Sequence, residues 1–256
     1  MRSGQRISWR AEPPVVLRRT GPDQMHLVQA AGGPLGGDRL ELRLSLGAGT
    51  SLTLATAAAT VAQPGRPGAG PAYWTVTAEL AEGARLRWLP EPTVVCDGAE
   101  LHASLRLGLA EGAGALVREQ VQLGRHGQRG GRYRGLLAAD CAGVPLVRHS
   151  TVLDGADPAL AGPGGTGGQR LVGALLGAGT SDGLLEHSDL STVGECAGVR
   201  WARHELAGPG WLVVALGSDP VALSRVLSGS ALMMGEPGAT VATGSDRATA
   251  SPTAPR

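Results

Sequence analysis

The sequence contains no phenylalanine, no lysine and no asparagine, and its only isoleucine is Ile7. These residues have AT-rich codons, so their scarcity reflects genome base composition rather than function. Without lysine, the glycine-rich segment 162–168 has no side chain that could reach the terminal phosphates of a nucleotide, which argues against a P-loop. Aromatic residues make up only 3% of the chain and the net charge is +1. A chain with neither a basic stripe nor aromatic platforms for stacking bases is not expected to bind nucleic acid.

Cysteines and long apolar runs are also scarce. Cys96, Cys141 and Cys196 lie far apart without a CxxC pair, which argues against a disulfide framework or a zinc knuckle and fits a reducing cytoplasm. No apolar run approaches the roughly 18 residues of a membrane span, and the N-terminus lacks the apolar region of a signal peptide. The six histidines show no HxH or HExxH spacing. We therefore expect a cytoplasmic protein that has no cofactor or metal of its own and does not enter membranes.

The clearest structural signal is the stretch 101–125, which predicts two strands joined by a glycine turn. Apolar residues occupy every second position of its first half: Leu101, Ala103, Leu105, Leu107 and Leu109. This is the period of a half-buried strand rather than a helix. After the turn the apolar row resumes at Val117 and continues at Val121, with Glu119 between them. A buried carboxylate must be paired or neutralised, so the plain interpretation of Glu119 is a structural ion pair with an arginine.

The same plan occurs twice upstream, at 42–54 and at 74–89. The turn glycines Gly49, Gly83 and Gly112 are about thirty residues apart, a spacing typical of stacked repeats. The pattern predicts strand-turn-strand units, each covering the apolar face of the next. Ordinary hairpins of a β-sandwich fit the same pattern, and the residues leave the two alternatives open. Either way, the predicted fold class is mainly β, with stacked antiparallel or mixed sheets.

The C-terminal part of the chain predicts one helix. Asp219 supplies a capping carboxylate and Pro220 suits the first helical position. Apolar residues then follow at helical spacing and would share one face on the sheet: Leu223, Val226, Leu227 and Met234. The helix should end near Gly235. The length suits one large domain or two small ones, and no segment marks a firm boundary. We expect a single domain over 1–235 and a disordered polar tail over 236–256.

One motif suggests catalysis. Residues 179–183, GTSDG, match the G-x-S-x-G pattern of serine hydrolases, which would make Ser181 a nucleophile with Asp189 or Asp219 and His204 as partners. However, 41 of 256 residues are glycine, so the pattern arises readily by chance. The HGGG-type oxyanion loop and the alternating helices of the α/β-hydrolases are also missing from the sequence pattern. A serine hydrolase is therefore the alternative function.

Several stretches together resemble the family of the urease accessory protein UreD, called UreH in some bacteria. GPLGGDRL at 33–40 matches the GGD loop of the family through Gly36, Gly37 and Asp38. WLPEP at 88–92 matches its LPxP segment. Glu119, followed by Gly124 and Arg125, matches its E…GR strand. The similarity spans residues 10–232 in the same order.

The resemblance implies a mostly β protein of stacked sheets with a C-terminal helix, acting as a non-enzymatic cytoplasmic scaffold. It implies binding to UreF, through UreF to the GTPase UreG, and to apo-urease, as a dimer within the accessory complex. Nickel would pass in transit to the urease active site. On this basis Asp38, Glu119 and Arg125 are the candidate polar groups of a nickel path, and Gly36, Gly37 and Gly124 are the positions of the motif loops.

Overall fold

The computed structural model describes residues 7–180 and 192–228. These residues form sixteen strands, a 3-10 turn at Pro158–Ala161 and one α-helix. The elements in chain order are β1 Val15–Arg19, β2 Gln24–Gln29, β3 Arg39–Leu46, β4 Ser51–Thr56, β5 Thr60–Ala62, β6 Ala72–Leu80, β7 Arg85–Leu89, β8 Thr93–Val95, β9 Glu100–Leu109, β10 Gly114–Leu123, β11 Arg132–Cys141, β12 Val144–Asp154, β13 Leu171–Gly179, β14 Val193–Cys196, β15 Val199–Glu205, β16 Gly210–Gly217 and α1 Pro220–Leu227.

Two mixed sheets face each other across an apolar core. The large sheet has eleven strands, in the order β1-β2-β4-β7-β10-β13-β16-β15-β14, with β5 and β8 beside the main path. The small sheet has five strands, in the order β12-β11-β9-β6-β3. Helix α1 packs on the outer side of the large sheet against β13, β15 and β16. The predicted fold class, stacked mixed sheets with a C-terminal helix, is confirmed.

Each repeat unit places its two strands in different sheets. Strands β3, β6 and β9 are parallel neighbours in the small sheet, and β4, β7 and β10 are parallel neighbours in the large sheet. The glycine turn of each unit therefore arches from one sheet to the other, and the apolar rows of its two strands face each other. The stacked repeat is confirmed, and the alternative of hairpins is wrong for these three units. The expectation that each unit covers the apolar face of the next is also wrong, because successive units lie side by side in both sheets and the two strands of one unit cover each other.

The three arch turns stack on one another. Gly49, Gly83 and Gly112 have φ angles of 64°, 66° and 69°, in the left-handed region that favours glycine. The N–H of Gly49 donates to the carbonyl of Glu82 at 2.9 Å, and that of Gly83 to the carbonyl of Glu111 at 3.3 Å. The regular spacing of the turn glycines thus reflects three stacked turns, each hydrogen-bonded to the next.

The central strand β10 is buried on both faces. Its residues Ala115, Val117 and Val121 pack between the two sheets. On its other face Leu116 packs in the cluster that joins the large sheet to α1. The alternation in the sequence predicts only one buried face, because polar residues occupy most of the other.

Helix α1 begins where the sequence predicts. The Asp219 carboxylate accepts hydrogen bonds from the N–H groups of Val221 at 2.8 Å and Ala222 at 3.3 Å. Its buried face includes Leu223, Val226 and Leu227. The predicted member Met234, the predicted end near Gly235 and the tail 236–256 lie outside the described residues.

Candidate functional site

The large sheet contains a gap at its centre. Strand β10 pairs with β7 over residues 114–117 and with β8 over residues 121–123. Between these two ladders the chain runs through Leu89-Pro90-Glu91-Pro92, and the prolines cannot donate the hydrogen bonds that would continue the pairing. The family-like LPEP segment therefore opens the sheet opposite residues 118–120.

A cavity of about 60 Å³ lies beside this gap, between the two sheets. This volume is enough for a few water molecules. Part of its wall is apolar: Trp74, Trp88, Leu101 and Val121. The polar residues that line it are Gln29, Thr56, Thr60, Glu91, Thr93, Glu119, Gln120 and Tyr133. We call this space, defined by its polar wall, the central cavity.

Glu119 projects from β10 towards the small sheet and lines the central cavity. Burial raises the pKa of its carboxyl to about 7, because the charged form loses its hydration. The predicted ion pair with an arginine is wrong within the described residues: Arg125 is exposed, and none of the salt bridges there involves Glu119. The carboxyl group of this partly buried residue therefore keeps its proton to a higher pH than an exposed glutamate does. Near neutral pH, Glu119 is poised to gain or lose that proton.

Tyr133 faces the same cavity from β11 of the small sheet. Burial, and then the charge of Glu119, raise the pKa of the phenol well above its usual value of 10, so the side chain stays neutral. The ring lies over Gly135, where a Cβ would come within 2.7 Å of the ring carbon Cε1. Sequence reasoning missed Tyr133; its only signal was that the chain has just two tyrosines.

A second polar group lies on the opposite face of β10, beneath α1. Only 8% of Arg118 and 3% of Gln120 is exposed, although the alternation placed both on the polar side of a half-buried strand. The hydroxyl of Ser224 in α1 donates to Gln120 Oε1 at 2.9 Å. Within the described residues, Arg118 Nε and Gln120 Nε2 have no hydrogen-bond partner. Helix α1 thus buries Arg118 and Gln120, which the alternation along the strand does not predict.

The motif loop around Asp38 is held by its own hydrogen bonds. Asp38 Oδ2 accepts from the N–H of Leu35 at 2.8 Å. Gly36 lies so close to the loop 64–70 that a Cβ would approach Gly65 N to 2.6 Å, and Gly37 has a φ of 92°. Asp38 is not among the residues that line the central cavity with Glu119. Its carboxylate instead holds the turn of its own loop through the N–H of Leu35.

Gly124 and Arg125 follow β10 at the other end of the site. Gly124 has a φ of 66°, and a Cβ there would lie 2.8 Å from Gly130 N. The Arg125 side chain lines a cleft of about 280 Å³, together with the loop residues Gly32 and Gly33. We call this the side cleft. Of the three predicted polar residues, Glu119 lines the central cavity and Arg125 lines the side cleft.

The central cavity shares walls with two surface features. Four residues line both the central cavity and the side cleft: Leu27, Gln29, Thr56 and Thr60. Glu91 lines both the central cavity and a groove of about 490 Å³ between α1 and the segment 92–94, which we call the helix groove. The N–H of Glu91 donates to Thr56 Oγ1 at 2.9 Å and fixes this wall. The central cavity thus adjoins each opening through residues that line both spaces.

Two further observations concern metals and membranes. Among residues 7–180 and 192–228, no three or more His, Cys, Asp or Glu side chains are grouped so that they could hold a metal ion. Within the same part of the chain, the helix found is too short to cross a membrane.

The fold does not support the hydrolase alternative. Ser181 and Asp189 lie outside the described residues. The carboxylate of Asp219 is occupied in capping α1, and His204 lies on β15, where its charge affects His149 of β12. The described residues form facing sheets with one short helix, rather than the alternating strands and helices of an α/β-hydrolase.

Comparisons with known proteins identify the family of this chain. The model of the family described as UreD urease accessory protein matches residues 5–240. The protein from Frankia alni named urease accessory protein UreD is 39% identical, over 86% of this chain and 84% of its own length. A protein of the same name from Alkalilimnicola ehrlichii is 33% identical, over 73% of this chain and 67% of its own length. The chain therefore belongs to the UreD family of urease accessory proteins.

Proposed function

We propose that this protein is a non-catalytic cytoplasmic scaffold that binds apo-urease and the UreF-like and UreG-like accessory proteins, as a dimer within their complex. Its family membership assigns it to urease maturation. In this proposal nickel crosses the protein on its way to urease and is cargo rather than a resident cofactor. The observation that carries the proposal is the titratable Glu119 in a cavity that shares walls with two surface openings.

The chemistry of the central cavity suits a cation in transit. Glu119, with neighbouring hydroxyl and amide groups and with Glu91 on the wall towards the helix groove, can replace part of the hydration shell of a divalent ion without enclosing it. Passage requires binding that is favourable enough for entry and weak enough for release. Because the pKa of Glu119 is about 7, an entering cation would displace a proton that is already loosely held.

The other two candidate residues act at the side cleft in this proposal. Arg125 lines the cleft directly. Asp38 acts indirectly: its carboxylate binds the N–H of Leu35, and the same loop contributes Gly32 and Gly33 to the cleft wall. Asp38 is therefore a positioning residue, and Glu119 is the residue expected to contact the ion.

Co-expression with the urease subunits and the other accessory proteins tests the proposal. Urea hydrolysis should be low without this chain and restored with it. At limiting nickel, Glu119→Gln should lower activation several-fold, because a neutral amide cannot exchange a proton for a cation. Asp38→Asn should have a smaller effect. The control Glu111→Gln removes an exposed carboxylate at the β9–β10 turn and should activate like the parent chain.

The outcomes separate clearly. Folded Glu119→Gln and Asp38→Asn variants that support full activation at limiting nickel would remove the nickel path. Pull-down of the accessory proteins and apo-urease on the tagged chain tests the scaffold role separately, and failure to retain any of them would contradict it.

A further inference from the structure

Arg118 occupies the gap in the large sheet. Its Nη2 donates to the carbonyls of Pro90 at 3.1 Å and Leu89 at 3.4 Å, and its Nη1 donates to Ser228 Oγ at 3.2 Å. The guanidinium thus bridges the interrupted strand to the end of α1. It satisfies carbonyls that the proline-containing segment leaves without a ladder partner.

The same guanidinium faces the carboxylate that joins the central cavity to the helix groove. Arg118 Nη2 lies 3.8 Å from Glu91 Oε1. The Arg118 side chain is only 10% exposed, whereas that of Glu91 is 49% exposed. The two charges lie too far apart for a strong hydrogen bond but close enough for Coulomb attraction. Arg118 therefore partly neutralises Glu91 while leaving its oxygen atoms open to the groove.

The charge balance at this opening is unfavourable for a trapped cation. Glu91 is the acidic residue of the helix groove wall, and Arg225 of α1 lines the same groove. A divalent ion that reached Glu91 would meet Arg118 behind the carboxylate and Arg225 beside it. Without Arg118, Glu91 would be an unpaired carboxylate between the central cavity and the helix groove, where a cation would bind more strongly.

We propose that Arg118 is a positioning residue that prevents Glu91 from retaining a divalent cation, so that ions leave the central cavity through the helix groove instead of stopping there. This inference rests on the proposed function and names the residue that governs release at one opening. In the intact protein, Glu119 holds the ion transiently and Glu91 contributes little to its affinity.

Equilibrium dialysis of the purified full chain against Ni²⁺ at pH 7.5 tests this inference. Arg118→Gln should bind Ni²⁺ about tenfold more tightly than the parent, because the neighbouring carboxylate loses a cation about 4 Å away. Glu91→Gln alone should leave the affinity within about twofold. The double variant should return to the parent affinity, since the gain requires both the lost arginine and the free carboxylate. Arg134→Gln, which removes an exposed arginine on β11, is the matched control and should bind like the parent.

The inference is wrong if Arg118→Gln binds Ni²⁺ no more tightly than the parent, or if the double variant keeps the higher affinity of Arg118→Gln. A loss of packing cannot imitate the expected result, because it would not strengthen binding in a manner that depends on Glu91. If Arg118→Gln does not fold, the Ni²⁺ affinities of Glu91→Gln and Glu119→Gln are compared instead. A loss of affinity in Glu91→Gln as large as that in Glu119→Gln contradicts the proposed role of Arg118.

Failure of this inference differs from failure of the proposed function. If Glu119→Gln retains the parent affinity and full urease activation, the nickel path itself is wrong. If Glu119→Gln weakens binding but Arg118→Gln does not strengthen it, only the role of Arg118 is wrong.

Discussion

Replacing Glu119 with glutamine should remove a pH-dependent term from the stability of this protein. Burial raises the pKa of Glu119 from 4.5 to about 7, so between these values the folded chain holds a proton that the unfolded chain has lost. The free energy of unfolding therefore falls as the pH rises through this window. The full shift corresponds to about 3 kcal/mol, at 1.36 kcal/mol for each pKa unit.

Most of this loss occurs between pH 5 and pH 8. The free energy of unfolding of Glu119→Gln, minus that of the parent, should grow by about 2.5 kcal/mol over that range. Burial, and then the charge of His204, lower the pKa of His149, but this contribution is common to both proteins and cancels in the difference. Glutamine keeps the shape of the side chain, so the packing of the cavity wall should survive.

Urea unfolding at several pH values, followed by tryptophan fluorescence, measures this difference, since Trp74 and Trp88 line the central cavity. The control Glu111→Gln, at an exposed turn, should change the free energy of unfolding by less than about 0.5 kcal/mol at any pH. A difference between Glu119→Gln and the parent that stays constant from pH 5 to pH 8 would refute a protonated, desolvated Glu119.

Three further predictions concern the loops, the helix and the hydrolase motif. Gly36→Ala should lower the free energy of unfolding by about 1–3 kcal/mol, because its Cβ would collide with the backbone of Gly65, 2.6 Å away. Gly47→Ala, where the nearest atom lies 3.8 Å away, should cost much less, and urea unfolding of the two variants measures the difference. Asp219→Ala should cost about 1 kcal/mol through loss of the helix cap, and a serine in its place should restore most of it. Ser181→Ala should leave urease activation unchanged, and a large loss in the co-expression assay would revive the hydrolase alternative.

The local structure was largely predictable because its causes are local. The alternation at 101–109 identified a strand, since side chains of a strand point alternately to its two faces. The turn glycines marked the arches because Gly49, Gly83 and Gly112 adopt positive φ angles there. Asp219 marked the start of α1 because a capping carboxylate acts within three residues of its own position.

The site was less predictable, because it depends on contacts between distant residues. Glu119 was identified as a carboxylate that must be paired or neutralised, but the sequence favoured the ion pair over the retained proton. Among the described residues no salt bridge involves Glu119, and which partners surround it is decided by the tertiary structure. Tyr133 reaches the central cavity only because β11 joins the facing sheet. Arg118 and Gln120 had the spacing of a solvated face, and only α1, about a hundred residues later in the chain, buries them.

The sequence by itself thus determined which segments are strands, where the chain turns and which side of each strand is apolar, because these follow from neighbouring residues. The tertiary structure alone decided which sheet each strand joins. Alternation indicates that a strand has an apolar face but does not identify what covers it. The same arrangement decided that the proline-interrupted segment 89–92 lies opposite Arg118 and Glu119, and this juxtaposition creates both the gap in the sheet and the cavity beside it.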